Sequence, residues 1–560
     1  MRLPKYCSFY QNSCYFAPIF KAMLRRILAS IFVFFVVAAL WQCARRGNPT
    51  GGPKDLDPPV LVKAEPENMS VNFKAKKIRL YFDEFIKLKD IQDQLIVSPP
   101  LKYTPDITPQ GSASKYLEIK FKDTLKENTT YTLNFGQSIT DNNEGNPFSF
   151  FTYVFSTGDY LDSLKVQGAV KDAFNKKAEE FISVMLYEID SAYTDSTVYQ
   201  KPPYYITNTL DSAVIFTLDH LKAGKYALFG IKDIAKNNVF DQNTDKIAFV
   251  SDTISIPTDS TYLLNLFKEI PDYSVAVPTF AAKNRIIFGY YGEGDSILIE
   301  PLNSLPDSVK TKVLKERHKD TLNYWFTPTD LDSIIFTVTN EKLKVIDTFT
   351  VKSRKVDTDS LQLNPSQTGS LNFEDPFYIT ANTPITAIDT TRITLMDKDS
   401  TQIYFTSDLD TLQNKIDFDF EVEPNQNYQM GLLPGAITNF FGETNDTLNL
   451  NLATKSFADY GNLSFNVVTD SLSYPLLVQL TDEKGEIKRE IFAEEPKVFE
   501  FNHLQPSKYL IRIIFDVNGN KKWDTGSYLK RIQPEKVSYY PEVIDVRANW
   551  EMPVTFTLLK

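Results

Sequence analysis

The residues best suited to chemistry stand near the C-terminus, in FDVNGNKKWDTG, Phe515 to Gly526. Asp516, Asn518 and Asn520 alternate and Asp524 comes four residues later, a spacing of oxygen donors that could hold Ca2+. A calcium loop of EF-hand spacing takes ligands at positions 1, 3, 5 and 9, glycine at 6 and a bidentate glutamate at 12. Counted from Asp516, position 6 is Lys521 and position 12 is Ser527. The chain contains its own comparison. HLKAGKYALFGIKDIAKNNVFD (220–241) aligns without a gap to HLQPSKYLIRIIFDVNGNKKWD (503–524), with eight of 22 positions identical. The upstream twin keeps Asp233, Asn237 and Asp241 but has Ala235 where Asn518 stands, and it carries Lys232 and Lys236. Two loops that retain Asp, Asn and Asp yet drop a ligand predict a shared polar turn, because Asp and Asn bond their own backbone and tolerate left-handed conformations. Calcium at Asp516, Asn518, Asn520 and Asp524 is the alternative, and no other cofactor is expected.

Other catalytic chemistry is sparse. The chain has three histidines. His220 and His503 occupy one aligned position and read as structural; His318, in KERHKD, reads as solvated. There is no H-E-x-x-H, no G-x-S-x-G and no phosphate-binding loop. Spacing along the chain says nothing about a glycosidase carboxylate pair, whose separation is set in three dimensions. No enzymatic activity is expected. A glycan-binding protein would need exposed aromatics, with Trp325 and Trp523 as the candidates, although Trp523 aligns with Phe240 as a packed residue would.

The elements that must position these residues are strands. Ile78, Leu80 and Phe82, then Leu117, Ile119 and Phe121, then Ile334, Phe336 and Val338 alternate with other residues at period two. SVKTKVLKER (308–317) is the best candidate for a short helix. Many short strands imply an all-β chain of tandem sandwiches. A second repeat, ENTTYTLNFGQSITDNNEGN (127–146) against PNQNYQMGLLPGAITNFFGETN (424–445), gives an order of five modules: 58–158, 162–270, 271–362, 363–457 and 458–560.

The N-terminal MLRRILASIFVFFVVAALWQC places Arg25 and Arg26 before an uncharged apolar run, Ile27 to Trp41, and then Cys43. The run has the length of a signal-peptide core and falls short of the ~20 residues of a spanning helix. It resembles a bacterial lipoprotein signal, which implies lipidation at Cys43. Trp41 and Gln42 depart from the usual small residues, and an uncleaved membrane anchor is the alternative. Residues 1–22 read as an upstream extension, 23–42 as the signal peptide and 43–57 as a flexible tether. Without residues 1–42 the chain holds 55 basic against 71 acidic residues, which excludes a nucleic-acid backbone binder.

DPPVLVKAEPENM (57–69), IRLYFDEFIKLKDIQDQLIVSPP (78–100) and a closing FSTG resemble the bacterial Ig-like domain related to the S-layer protein SbsA. Together with CARRGNPTGGPKDLDPP they resemble a family of Bacteroidota envelope lipoproteins, and modules 162–270 and 458–560 resemble transthyretin-like or carboxypeptidase-regulatory-like sandwiches. The resemblance implies accessory, non-catalytic domains at the outer membrane that engage an envelope protein partner or, alternatively, a glycan. Arg45 and Arg46 after the cysteine favour a periplasm-facing position over the cell surface. Asp followed by Ser or Thr and then Ala, Ile, Leu, Val, Met or Thr occurs 17 times. It resembles an O-glycosylation acceptor motif of Bacteroidota, with Thr124, Ser212, Ser296, Ser333 and Thr447 as examples; most copies are expected to be turns.

Overall fold

The computed structural model describes residues 55–209, 214–327, 332–469 and 474–558. It is nearly all β, 48% strand and 3% helix. The first module pairs a sheet built on Lys77–Leu88 and Ser114–Lys120 with a three-stranded sheet centred on Thr130–Asn134. The alternating Ile78, Leu80, Leu117 and Ile119 meet Tyr131, Leu133 and Phe155 between the two sheets. This is the burial that period-two apolar residues require.

The 162–270 and 458–560 modules share one topology. In each, a three-stranded sheet has a long central strand, Leu164–Asp172 or Gly461–Val468, with one antiparallel neighbour and one parallel neighbour. In each, the repeated strand, Gly224–Lys232 or Ser507–Phe515, lies inside a five-stranded sheet. The intervening 271–362 and 363–457 stretches also form paired sheets, with cores around Phe288, Tyr324 and Phe336 and around Ile379, Leu395 and Leu452.

One expectation fails. Within 308–317, Thr311–Lys315 is a strand, paired antiparallel with Thr321–Phe326 from Thr311↔Phe326 to Lys315↔Leu322. Val309, Val313 and Leu314 imitate a helical stripe, but Leu314 alone of this strand is buried, and the hairpin closes through His318 at φ 58°. Pairing with the buried TLNYWF strand overrides the local helix preference.

The central strands of the second module are apolar on both faces. Val184, Leu186 and Leu228 point into the sandwich, while Met185, Tyr187, Phe229, Ile231 and Phe249 form a separate cluster on the opposite face. The fifth module covers that face. Tyr528, 0% exposed, packs edge-on against Phe229 at 5.0 Å and Phe249 at 5.3 Å. Its N–H donates to Glu269, the Thr525 hydroxyl donates to the Lys268 carbonyl, and Gln533 Nε2 donates to the Phe249 carbonyl at 3.0 Å. The chain therefore folds back on itself, joining residues more than 250 positions apart.

Other junctions are stitched as well. Ile206 N donates to Ser98 Oγ at 3.0 Å between the first and second modules. Trp325 meets Phe441 between the third and fourth. Arg489 Nη1 donates to Asp375 Oδ1 at 2.6 Å between the fourth and fifth. Truncating Tyr528 should leave a cavity on the apolar face. Tyr528→Ala is expected to cost about 3–5 kcal/mol, the usual loss for a large buried aromatic. Denaturant unfolding should show it as a lower midpoint, with increased hydrogen exchange in Gly224–Lys232.

Candidate functional site

The Asp516 loop closes on its own backbone. Asp516 is 0% exposed; its Oδ1 accepts from Asn520 N at 3.1 Å and its Oδ2 from Lys521 N at 2.7 Å. Asn520 Oδ1 accepts from Lys522 N at 2.9 Å, and the Asn518 and Asn520 side-chain amides donate to Asp524. Gly519, at φ 72°, and Lys521, at φ 62°, supply the left-handed turns. The sequence did not point to Glu535, which clamps both ends of the loop. Its Oε1 accepts from Val517 N at 2.8 Å and its Oε2 from Asp524 N at 3.0 Å. Burial pushes the Glu535 carboxyl up, and the nearby Asp524 and Asp516 push the same way against its two N–H donors.

The twin repeats the construction with a different residue. Asp233 Oδ2 accepts from Asn238 N at 2.6 Å, the counterpart of the Asp516–Lys521 bond. Asp245 Oδ1 accepts from Ile234 N at 3.0 Å and its Oδ2 from Asp241 N at 2.9 Å. Ile234 and Asp241 align with Val517 and Asp524, so Asp245 and Glu535 do one job from different places in the chain. Asp245 comes four residues after Asp241 and Glu535 eleven after Asp524, so gapless alignment does not superpose them.

Each carboxylate oxygen of Asp516 and Glu535 is thus engaged by a backbone N–H, and the amide N–H groups of Asn518 and Asn520 face Asp524. A calcium ion in this cradle would have to compete with those donors, and the side-chain amides would have to present oxygen instead. Among the described residues there is no grouping of three or more His, Cys, Asp or Glu arranged to hold a metal ion.

The loop also sets the position of the aromatic at its end. Trp523 Nε1 donates to the Glu535 carbonyl at 3.0 Å, and the indole lies against Phe174 of the second module, centroids 4.7 Å apart. Arg512, 1% exposed, stacks over the same Phe174 at 4.0 Å. Its guanidinium donates to Tyr539 Oη at 2.8 Å, Gln479 Oε1 at 2.9 Å and the Gly485 carbonyl at 3.2 Å. Buried Glu269 accepts from Tyr528 N and Gln242 Nε2, and burial raises its pKa above the ordinary carboxylate range.

The remaining sequence-derived residues are dispersed. His220 and His503 are the extra residues of matching β-bulges, at φ 59° and 51°. His220 Nδ1 lies 2.8 Å from the Asp162 carbonyl at the start of its own module, and His503 Nδ1 lies 2.8 Å from Glu374 Oε1 of the preceding module. His318 is exposed. Trp325 is 3% exposed beneath Arg285, so it offers no sugar platform; Trp550, which no sequence signal singled out, is 52% exposed with Arg547 over its ring. Thr124, Ser296 and Thr447 are exposed and Ser333 is half-buried at a strand start; Ser212 and Cys43 lie outside the described residues.

Residues 55–157 match the bacterial Ig-like domain family. No curated protein matches. Among solved structures, domains 1–6 of the surface layer protein SbsC align at 12% identity over 87% of this chain and 67% of that one, with a TM-score of 0.16. A Bacteroides ovatus mixed-linkage glucan utilization protein, SGBP-B, in complex with a heptasaccharide, aligns at 12% identity over 69% of this chain and 94% of that one, TM-score 0.18. The chain is an all-β protein with an Ig-like domain, and no enzymatic family is indicated.

Both the loop and the buried Glu269 can be tested by stability. Asp516→Ala removes the acceptor of two loop N–H groups and should cost about 1–3 kcal/mol. Unfolding midpoints of wild type and variant should be the same in calcium and in EDTA; a calcium-dependent midpoint in wild type alone would make the loop a metal site. For Glu269 the folded pKa lies above the unfolded one, so the folded state holds the proton more tightly. Its effect on stability becomes more favourable as pH falls through the folded pKa towards the ordinary carboxylate value. In urea unfolding at stepped pH, the stability of wild type relative to Glu269→Gln should rise on acidification through that window.

Proposed function

We propose that this chain is a non-catalytic lipoprotein scaffold of a Bacteroidota cell envelope. In this reading Cys43 carries the lipid at the outer membrane, facing the periplasm, and the five modules form a frame that presents loops and sheet faces to a protein partner. Accessory work in outer-membrane protein assembly or secretion suits such a frame. The observation that carries the reading is the seating of Tyr528 and Trp523 on the second module, which makes a closed support from modules that sequence alone would leave as beads on a string. The exposed Thr124, Ser296 and Thr447 suit O-glycosylation on such an exported surface.

The test is made in the native membrane. Wild type should incorporate labelled palmitate and fractionate with outer membranes, while Cys43→Ser should do neither. A mild-detergent pull-down of the wild type should recover an outer-membrane protein in stoichiometric amount. Recovery of the chain alone, together with polysaccharide binding lost in Trp550→Ala, would replace the scaffold with a glycan binder.

A further inference from the structure

A sheet edge presents unpaired N–H and C=O groups, and proteins blunt long edges with bulges, prolines or charges. This chain does so repeatedly. Four edge strands of the described residues are seven residues long. Ile215–Leu221, Ile487–Ala493 and Val498–Leu504 each carry an extra, bulged residue, and Glu551–Thr557 contains Pro553. The shorter Thr311–Lys315 edge carries two lysines and Thr406–Asp410 two aspartates.

Val345–Lys352 is guarded by neither bulge nor proline, and its two charges, Asp347 and Lys352, are of opposite sign. It is eight residues long, reads VIDTFTVK, and pairs with Ser333–Asn340 without a register shift. No described strand pairs with its other side. Ile346 is 67% exposed, and Thr348 and Thr350 lie exposed along the same face. Local charge does not oppose self-association. Residues 271–362 hold 12 Lys and Arg against 13 Asp and Glu, whereas the chain carries −11.

We infer that this edge pairs with the same edge of a second copy. A two-fold axis normal to the sheet makes the two strands antiparallel and keeps side chains of one face together. With the axis at Phe349, Thr348 stands opposite the partner's Thr350, Asp347 opposite the partner's Val351, and Ile346 opposite the partner's Lys352. No like charges meet. Threonine faces threonine, and the Lys352 stem covers the exposed isoleucine. Two three-stranded sheets become one of six strands. The outer edges of that sheet are the two copies of Ile297–Pro301, each holding Glu300 and ending in a proline, so growth stops at the dimer.

The full chain in detergent should sediment as a dimer at micromolar concentration. Thr348→Lys combined with Thr350→Lys sets lysine opposite lysine and should weaken the dimer by at least about tenfold, the factor that 1.4 kcal/mol represents. Amide hydrogen exchange needs no variant: residues 345–352 should become more protected as wild-type concentration rises. A monomer throughout the range, a dimer indifferent to the two lysines, or exchange independent of concentration would each overturn the inference.

Discussion

A sheet that is apolar on both faces cannot leave either face in water, and the second module has such a sheet. Phe229, Ile231, Phe249, Met185 and Tyr187 form a surface as apolar as a core. Much of the long-range architecture answers that constraint. The fifth module supplies Tyr528 to the centre of the surface and Trp523 to its margin. The polar loop between the repeated strand and this segment fixes where both aromatics stand. Asp516, itself buried, and Glu535 hold the loop by its N–H groups, while its tip at Val517, Asn518 and Asn520 stays exposed.

The repeated strands show how two copies of one design become partners. Phe229 and Arg512 occupy one aligned position. Phe229 receives Tyr528 from the fifth module, while Arg512 reaches back to Phe174 of the second. Burying a guanidinium is costly unless its donors are met, and three acceptors and an aromatic face meet them here. Identical faces would have offered only an apolar collapse with no fixed register. The aromatic on one side and the hydrogen-bonded cation on the other specify a single mutual orientation.

Much of this was legible in the chain. Period-two alternation marks the strands of the first module, and the gapless repeat identifies the paired sandwich strands. The missing ligand at Ala235 favours a turn in the sequence, and both loops close through backbone N–H bonds to Asp233 and Asp516. What was not legible depended on distance in space. Glu535 and Asp245 lie at different separations from their loops, so no alignment joins them. The helix expected around Val309 and Val313 gave way to a hairpin whose partner strand is the buried TLNYWF. One signal was available: the unbroken apolar run from Tyr226 to Phe229, continued by Ile231, has no polar alternation, which is the mark of a strand covered on both sides. It shows that a second layer exists without saying which segment supplies it.

The seating of Tyr528 also sets an order of events in time. Chains are made from the N-terminus, at roughly 5–20 residues per second. The second module is complete by residue 270, yet its covering residue is Tyr528. For an interval on the order of ten seconds or longer, that sheet exists with one face uncovered. Until the last module arrives, that apolar face is open to wrong contacts. The length of that interval is written into the distance between Phe229 and Tyr528 along the polypeptide.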